Sequence, residues 1–141
     1  MMPSSELRVP SSELEELRRA EAIILQWSWK TPAMKAMTLA VCRLALERGA
    51  RGTEFSANDL PDFAHGGAGI AGAIFQRLAR DGVLAPVLVW DGTSYSQKYV
   101  RNAGGNRIGL WRLANAALAR RALEVHGQPE PELKQTNFAL S

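Results

Sequence analysis

The chain has very little sulfur or imidazole: one cysteine, Cys42, and two histidines in 141 residues. A lone thiol can form neither an internal disulfide nor a four-ligand zinc site, which weighs against an oxidising compartment and against zinc-ribbon chemistry. Long apolar runs are also missing. No segment approaches the roughly 18–20 apolar residues that cross a bilayer, and "MMPSSELRVP" lacks the basic start and apolar run of a secretory signal, so a cytoplasmic chain with no membrane partner is expected. Neither charge sign dominates, with 17 Lys/Arg against 14 Asp/Glu, and 46% of residues are hydrophobic. This balance excludes a strongly disordered or collagen-like chain and allows one compact core with appendages. A glycine-rich phosphate loop with lysine, a paired metal motif and a nucleophile elbow are all absent. The acids Asp59 and Asp62 with His65 form the one cluster that suggests acid/base or metal chemistry. They are read more simply as acids at the positive end of a helix and a turn residue. A non-enzyme without catalytic residues, metal or cofactor is the expectation.

What charge there is lies unevenly. Residues 31–114 carry ten basic and six acidic side chains, while residues 1–30 carry four and five. Between Arg77 and Arg112 stand Arg77, Arg80, Lys98, Arg101, Arg107 and Arg112 against only Asp81 and Asp91. Such an excess suits a polyanionic partner; a solvated basic face is the alternative.

Apolar periodicity divides the chain into elements. "PSSEL" occurs twice, at Pro3 and at Pro10. After the second copy, Ser12 and Glu15 have capping-box spacing, and Leu14, Leu17, Ala20, Ile24 and Trp27 form a helical stripe over about 12–26. Trp27 and Trp29 are anchors of this arm, on the domain or on a second subunit. A second helix runs from Thr31-Pro32 to a stop at Gly49, with Met34, Met37, Val41, Leu44 and Ala45 inward. A short extended piece reaches Ser56, the cap of a helix through Asn58, Asp59 and Leu60, with Pro61 in its first turns. Then comes "GGAGIAGAIFQRLARDGVL", a helix with Ile70, Ile74 and Leu78 inward and Ala71 and Phe75 beside them, ended by Gly82. Its opposite face carries Gly69, Gly72, Ala73, Gln76, Arg77 and Arg80 at steps of one, three or four. Interior glycines cost a helix about 1 kcal/mol each relative to alanine, so the bare first half needs a reason: close approach to a surface, a loop reaching residue 69, or a helix–helix contact. "LAPVLVW" and "RIGLWRL" are β-rich runs and predict one hairpin with a long tip turning at Ala103–Asn106. Tyr95 and Tyr99 are expected to pack on that hairpin. A last helix over about 114–125 leads to a polar, proline-containing tail.

The motifs "ALERGARGTEFSANDL", "GAIFQRLARDGVLAPV" and "YVRNAGGNRIGLWRL", in this order of elements, resemble the small winged helix-turn-helix proteins of bacteriophages and prophages over about residues 34–114. The resemblance implies an α+β fold: a three-helix core with a β-hairpin wing, here as domain 31–114, between an N-terminal arm (1–30) and a C-terminal helix and tail (115–141). It also implies non-enzymatic binding of double-stranded DNA in regulation of transcription or a mobile-element process. The third helix would enter the major groove and the wing would hold the backbone. The residues assigned to DNA are Gly69, Gly72, Ala73, Gln76, Arg77 and Arg80 on the helix, and Lys98, Arg101, Asn102, Asn106 and Arg107 in the wing. The amphipathic arm suits a homodimer. A winged-helix module that docks another protein on the bare helix face is the alternative. Gly69, Gly72 and Ala73 stand where such chains often carry larger side chains, which favours backbone and shape contacts over base readout.

Overall fold

A computed structural model describes residues 11–60 and 67–127. The first PSSEL copy, Pro61, Asp62, His65 and Gly66, and the tail from residue 128 onward lie outside the described residues. The described residues form an α+β fold, four α-helices with small antiparallel strand pairs. The elements in order are α1 (Ser11–Leu25), α2 (Pro32–Arg51), a single 3-10 turn (Ala57–Asp59), α3 (Gly67–Arg80), strands β1 (Leu84–Pro86), β2 (Leu88–Trp90), β3 (Tyr95–Gln97), β4 (Tyr99–Arg101), β5 (Arg107–Gly109) and β6 (Trp111–Leu113), and α4 (Ala116–His126). Among the described residues, no helix is long and apolar enough to cross a membrane.

Local chemistry accounts for most helix ends. Thr31 caps α2, its side chain accepting the Met34 N–H at 3.2 Å, with Pro32 at the first helical position. Ser56 caps the next element in a capping box with Asp59, although the described helix there is one 3-10 turn. Helix α3 ends in a Schellman turn: Gly82 at φ 89° donates to Ala79, and Val83 donates to Leu78. Asn115 caps α4.

Helix α2 does not stop at Gly49. It runs one turn farther, to Gly52 at φ 69°, whose N–H reaches the Arg48 and Gly49 carbonyls. Gly49 serves a different need, because a Cβ there would stand 2.5 Å from Cδ2 and 3.1 Å from Cβ of Leu113. It lets β6 lie directly on the helix. Gly72, by contrast, is exposed, and a Cβ there would meet nothing within 4 Å. The two glycines therefore predict opposite outcomes. Gly72→Ala should raise stability by about 0.5–1 kcal/mol through helix propensity. Gly49→Ala gains the same propensity but overpacks Leu113 at about 1–3 kcal/mol, so it should lower the urea midpoint. Equal shifts of the same sign would refute the contact.

The core is continuous from the arm to the last helix. Ile24 and Trp27 of the arm, Val41 and Ala45 of α2, Ile74, Phe75 and Leu78 of α3, and Leu118, Ala119 and Ala122 of α4 share one buried cluster. Trp111 stacks on Phe75 with centroids 5.7 Å apart, and Phe55 lies tilted against Phe75 at 6.2 Å. Phe55 and Trp111 also exchange both backbone hydrogen bonds, at 2.9 and 2.8 Å, joining the extended piece to β6. Cys42 is fully buried, and burial pushes its thiol up to about 12 from the ordinary 9.0. Because the folded-state value is raised, its contribution is complete below about 9 and is lost as pH climbs from there toward 12. Thiol reagents at neutral pH are expected to leave the native chain unlabelled and to label it fully in denaturant; rapid native labelling would contradict this burial.

The predicted single hairpin is replaced by three. Only the outer halves of the two β-rich runs pair with each other, Leu84 with Leu113 through Pro86 with Trp111. Strand β2 instead pairs with β3, and β4 with β5. The reason is a second turn inside the polar stretch. Gly92 at φ 99° and an Asp91 carboxylate that accepts the Thr93 and Ser94 N–H groups close the first arm. Gly105 at φ 82° and the Asn102 side chain close the second. These backbone donors hold the Asp91 carboxyl below its usual range, the Ser94 N–H most strongly. Where the three hairpins meet, the backbone closes a triangle: Val87 donates to Leu110, Leu110 to Lys98, and Lys98 to Val87, at 3.0, 2.9 and 2.7 Å. Gln97 donates to the Leu110 carbonyl as well and lies on Gly109, where any Cβ would collide with it.

Candidate nucleic-acid interface

The outward face of α3 divides in two. Gly69 lies in the first turn, and Gly72, Ala73, Gln76 and Arg80 are exposed, the Arg80 side chain at 75%. Arg77 does not join them. Its guanidinium lies over the rings of Trp27 and Trp29, at 5.4 and 5.9 Å, and donates to the Ser28 carbonyl at 3.3 Å. Arg77, expected among the DNA contacts, is therefore held by the arm rather than standing open like its neighbours. The arm passes over that edge of the helix, and a cation on an indole face is held there.

The arm docks on its own domain through this cluster. Trp27 donates its indole N–H to the buried Asp81 carboxylate at 2.8 Å, and Trp29 donates to the Thr38 hydroxyl at 2.9 Å. His126 stacks on Trp27, meets Trp29 edge-on, and brings Nε2 within 2.7 Å of the Ile24 carbonyl, so Nε2 carries the proton. Of the predicted stripe, Ala20, Ile24 and Trp27 pack against the core, whereas Leu14 and Leu17 stay 39% exposed.

The remaining basic residues assigned to DNA sit on the second arm and at its junction with the first. Lys98 stands at the junction, with Nζ 3.2 Å from Glu54. Arg101 donates to Gly105 across its own turn, and its carbonyl accepts the Asn58 side chain, which ties the 3-10 turn to the arm. Arg107 rests on Tyr99 at 4.5 Å and makes no ion pair among the described residues. Asn102 builds the turn, and Asn106 is exposed beside it. Between the arms opens a cleft of about 370 Å³ lined by Val89, Ser96, Lys98, Tyr99, Arg101 and Arg107.

Both tyrosines lie against neighbours on their own hairpin arms, with much of each ring exposed. Tyr95 is 65% exposed against an equally open Trp90, and Tyr99 is the platform for Arg107. Trp90 escaped the sequence reading. The signal for it was local: "LVW" and "YSQ" alternate across an Asp-Gly turn, and the last residue of the first run faces the first of the second. Asp59 is committed to the Ser56 cap and to Arg48 at 3.2 Å, while Asp62 and His65 lie outside the described residues. Compared with known proteins, the chain matches no family model, no curated protein and no solved structure.

Proposed function

We propose that the chain is a non-enzymatic double-stranded DNA-binding protein of the winged helix-turn-helix type. In this reading the exposed stripe of α3 faces the major groove and the two arms form a forked wing on the phosphate backbone. One observation carries it: Arg107 is held open on Tyr99 beside Arg101 and Lys98, away from the apolar core, in a cleft with no acidic lining residue. The Lys98–Glu54 pair is exposed and worth about 0–1 kcal/mol, so a phosphate can displace the carboxylate. Gln76 is the one side chain on the stripe suited to a base edge, which favours shape over sequence readout.

Four phosphate contacts, from Arg80, Lys98, Arg101 and Arg107, imply a slope near −3.6 in log affinity against log salt. Binding to a random duplex should then weaken by about 100-fold between 50 and 200 mM salt. A flat or absent response in fluorescence anisotropy would reject the reading and leave a protein-docking module. Leu14 and Leu17 favour self-association through the free half of α1 as part of the same function. Leu14→Glu with Leu17→Glu should hold the chain monomeric in sedimentation at concentrations where the parent dimerises. A parent that is monomeric throughout would remove the dimer.

A further inference from the structure

The first arm ends in two aromatic rings that the fold does not use. Trp90 and Tyr95 are the last cross-strand pair before the Asp91–Ser94 turn, with centroids 5.0 Å apart and planes tilted by 56°. Trp90 is 57% exposed, and neither ring belongs to the buried cluster. The register puts Leu88, Trp90 and Tyr95 on one face of this arm, and Val89 and Ser96, which line the cationic cleft, on the other. Rings this open, on a rigid two-stranded finger, mark a contact surface.

We infer that the Trp90–Tyr95 pair is a stacking platform for an unpaired or terminal base, so that the chain prefers nucleic acid with an exposed base face over uninterrupted duplex. This rests on the DNA-binding reading above and deepens it. The surroundings favour a base over an apolar protein segment. Cations dominate the neighbouring arm and junction, and the Asp91 carboxylate beside the rings is turned to two backbone N–H groups of its own turn. A cationic groove beside aromatic faces is the combination that single strands use, the backbone taking the charge and each base a ring. The junction triangle joins the two arms at their base, so a strand with its phosphates in the cleft reaches the rings by turning over the edge of the finger.

The test uses the full chain and three probes: a blunt duplex, the same duplex with a short single-stranded overhang, and that overhang made abasic, which keeps its phosphates and removes its bases. The overhang is expected to tighten binding by about 10- to 100-fold over the blunt duplex, with the abasic version showing little of that gain. It should also quench tryptophan emission, because Trp90 is the most open of the four tryptophans, Trp27 and Trp111 being buried and Trp29 half-buried. Trp90→Ala should abolish the gain and the quench while leaving blunt-duplex affinity within about 2-fold, and Trp90→Phe should keep most of the gain. Equal binding of intact and abasic overhangs would overturn the platform while leaving the duplex reading in place. So would a Trp90→Ala variant that loses an oligomer rather than the overhang gain, since the finger would then be a protein contact. Failure to bind any of the three probes would remove both readings together.

Discussion

Trp27→Ala is expected to lower the stability of the protein by about 3–5 kcal/mol, the range for emptying a buried aromatic site. The side chain is buried against the core, stacks on His126, carries Arg77 on its face and satisfies the buried Asp81 carboxylate. Its loss thus opens a cavity and takes from the Asp81 carboxylate its hydrogen-bond donor, leaving it the longer ion pairs to Arg77 and Arg80 at 3.9 and 3.6 Å. Trp27→Phe keeps one aromatic ring in the site while removing the N–H and part of the indole volume, and should cost about 1–3 kcal/mol. The arm should also become a protease target before the rest of the chain, because it would lose its largest buried anchor and retain Ala20, Ile24 and Trp29. Urea denaturation with limited proteolysis checks both points. A loss below about 1 kcal/mol for the alanine variant would mean that the arm is not docked as described.

The second large effect concerns the forked wing. Arg101→Ala with Arg107→Ala should remove two phosphate contacts, reduce the salt slope by about 1.8 and weaken duplex binding roughly 50-fold near 0.1 M salt. Both side chains are exposed and lie outside the core, so the melting temperature should stay within a few degrees. Arg77→Ala is the informative contrast. It should reduce stability by loosening the arm and leave the salt slope unchanged, because its guanidinium is held between Trp27, Trp29 and Ser28. If Arg77→Ala flattens the slope while the double wing variant does not, the interface lies on the helix edge and the forked-wing assignment is wrong.

The residues themselves were sufficient for whatever depends on interactions within a turn or two. Thr31-Pro32, Ser56 and Gly82 mark their elements because a cap or a positive φ is satisfied by neighbours in sequence. The inward faces of α2 and α3 follow from a 3.6-residue period for the same reason. The basic residues of the candidate interface were also legible, since composition alone locates them between Arg77 and Arg112. Other features depended on groups far apart in the chain, and only the tertiary structure decided them. Gly49 continues a helix because Leu113 lies on it, and Arg77 turns aside because Trp27 and Trp29 arrive from fifty residues away. Two β-rich runs became three hairpins because strand propensity does not choose a partner. That choice was made by two glycine turns and by the triangle of Val87, Lys98 and Leu110, which satisfies three backbone donors that a single long hairpin would have paired differently.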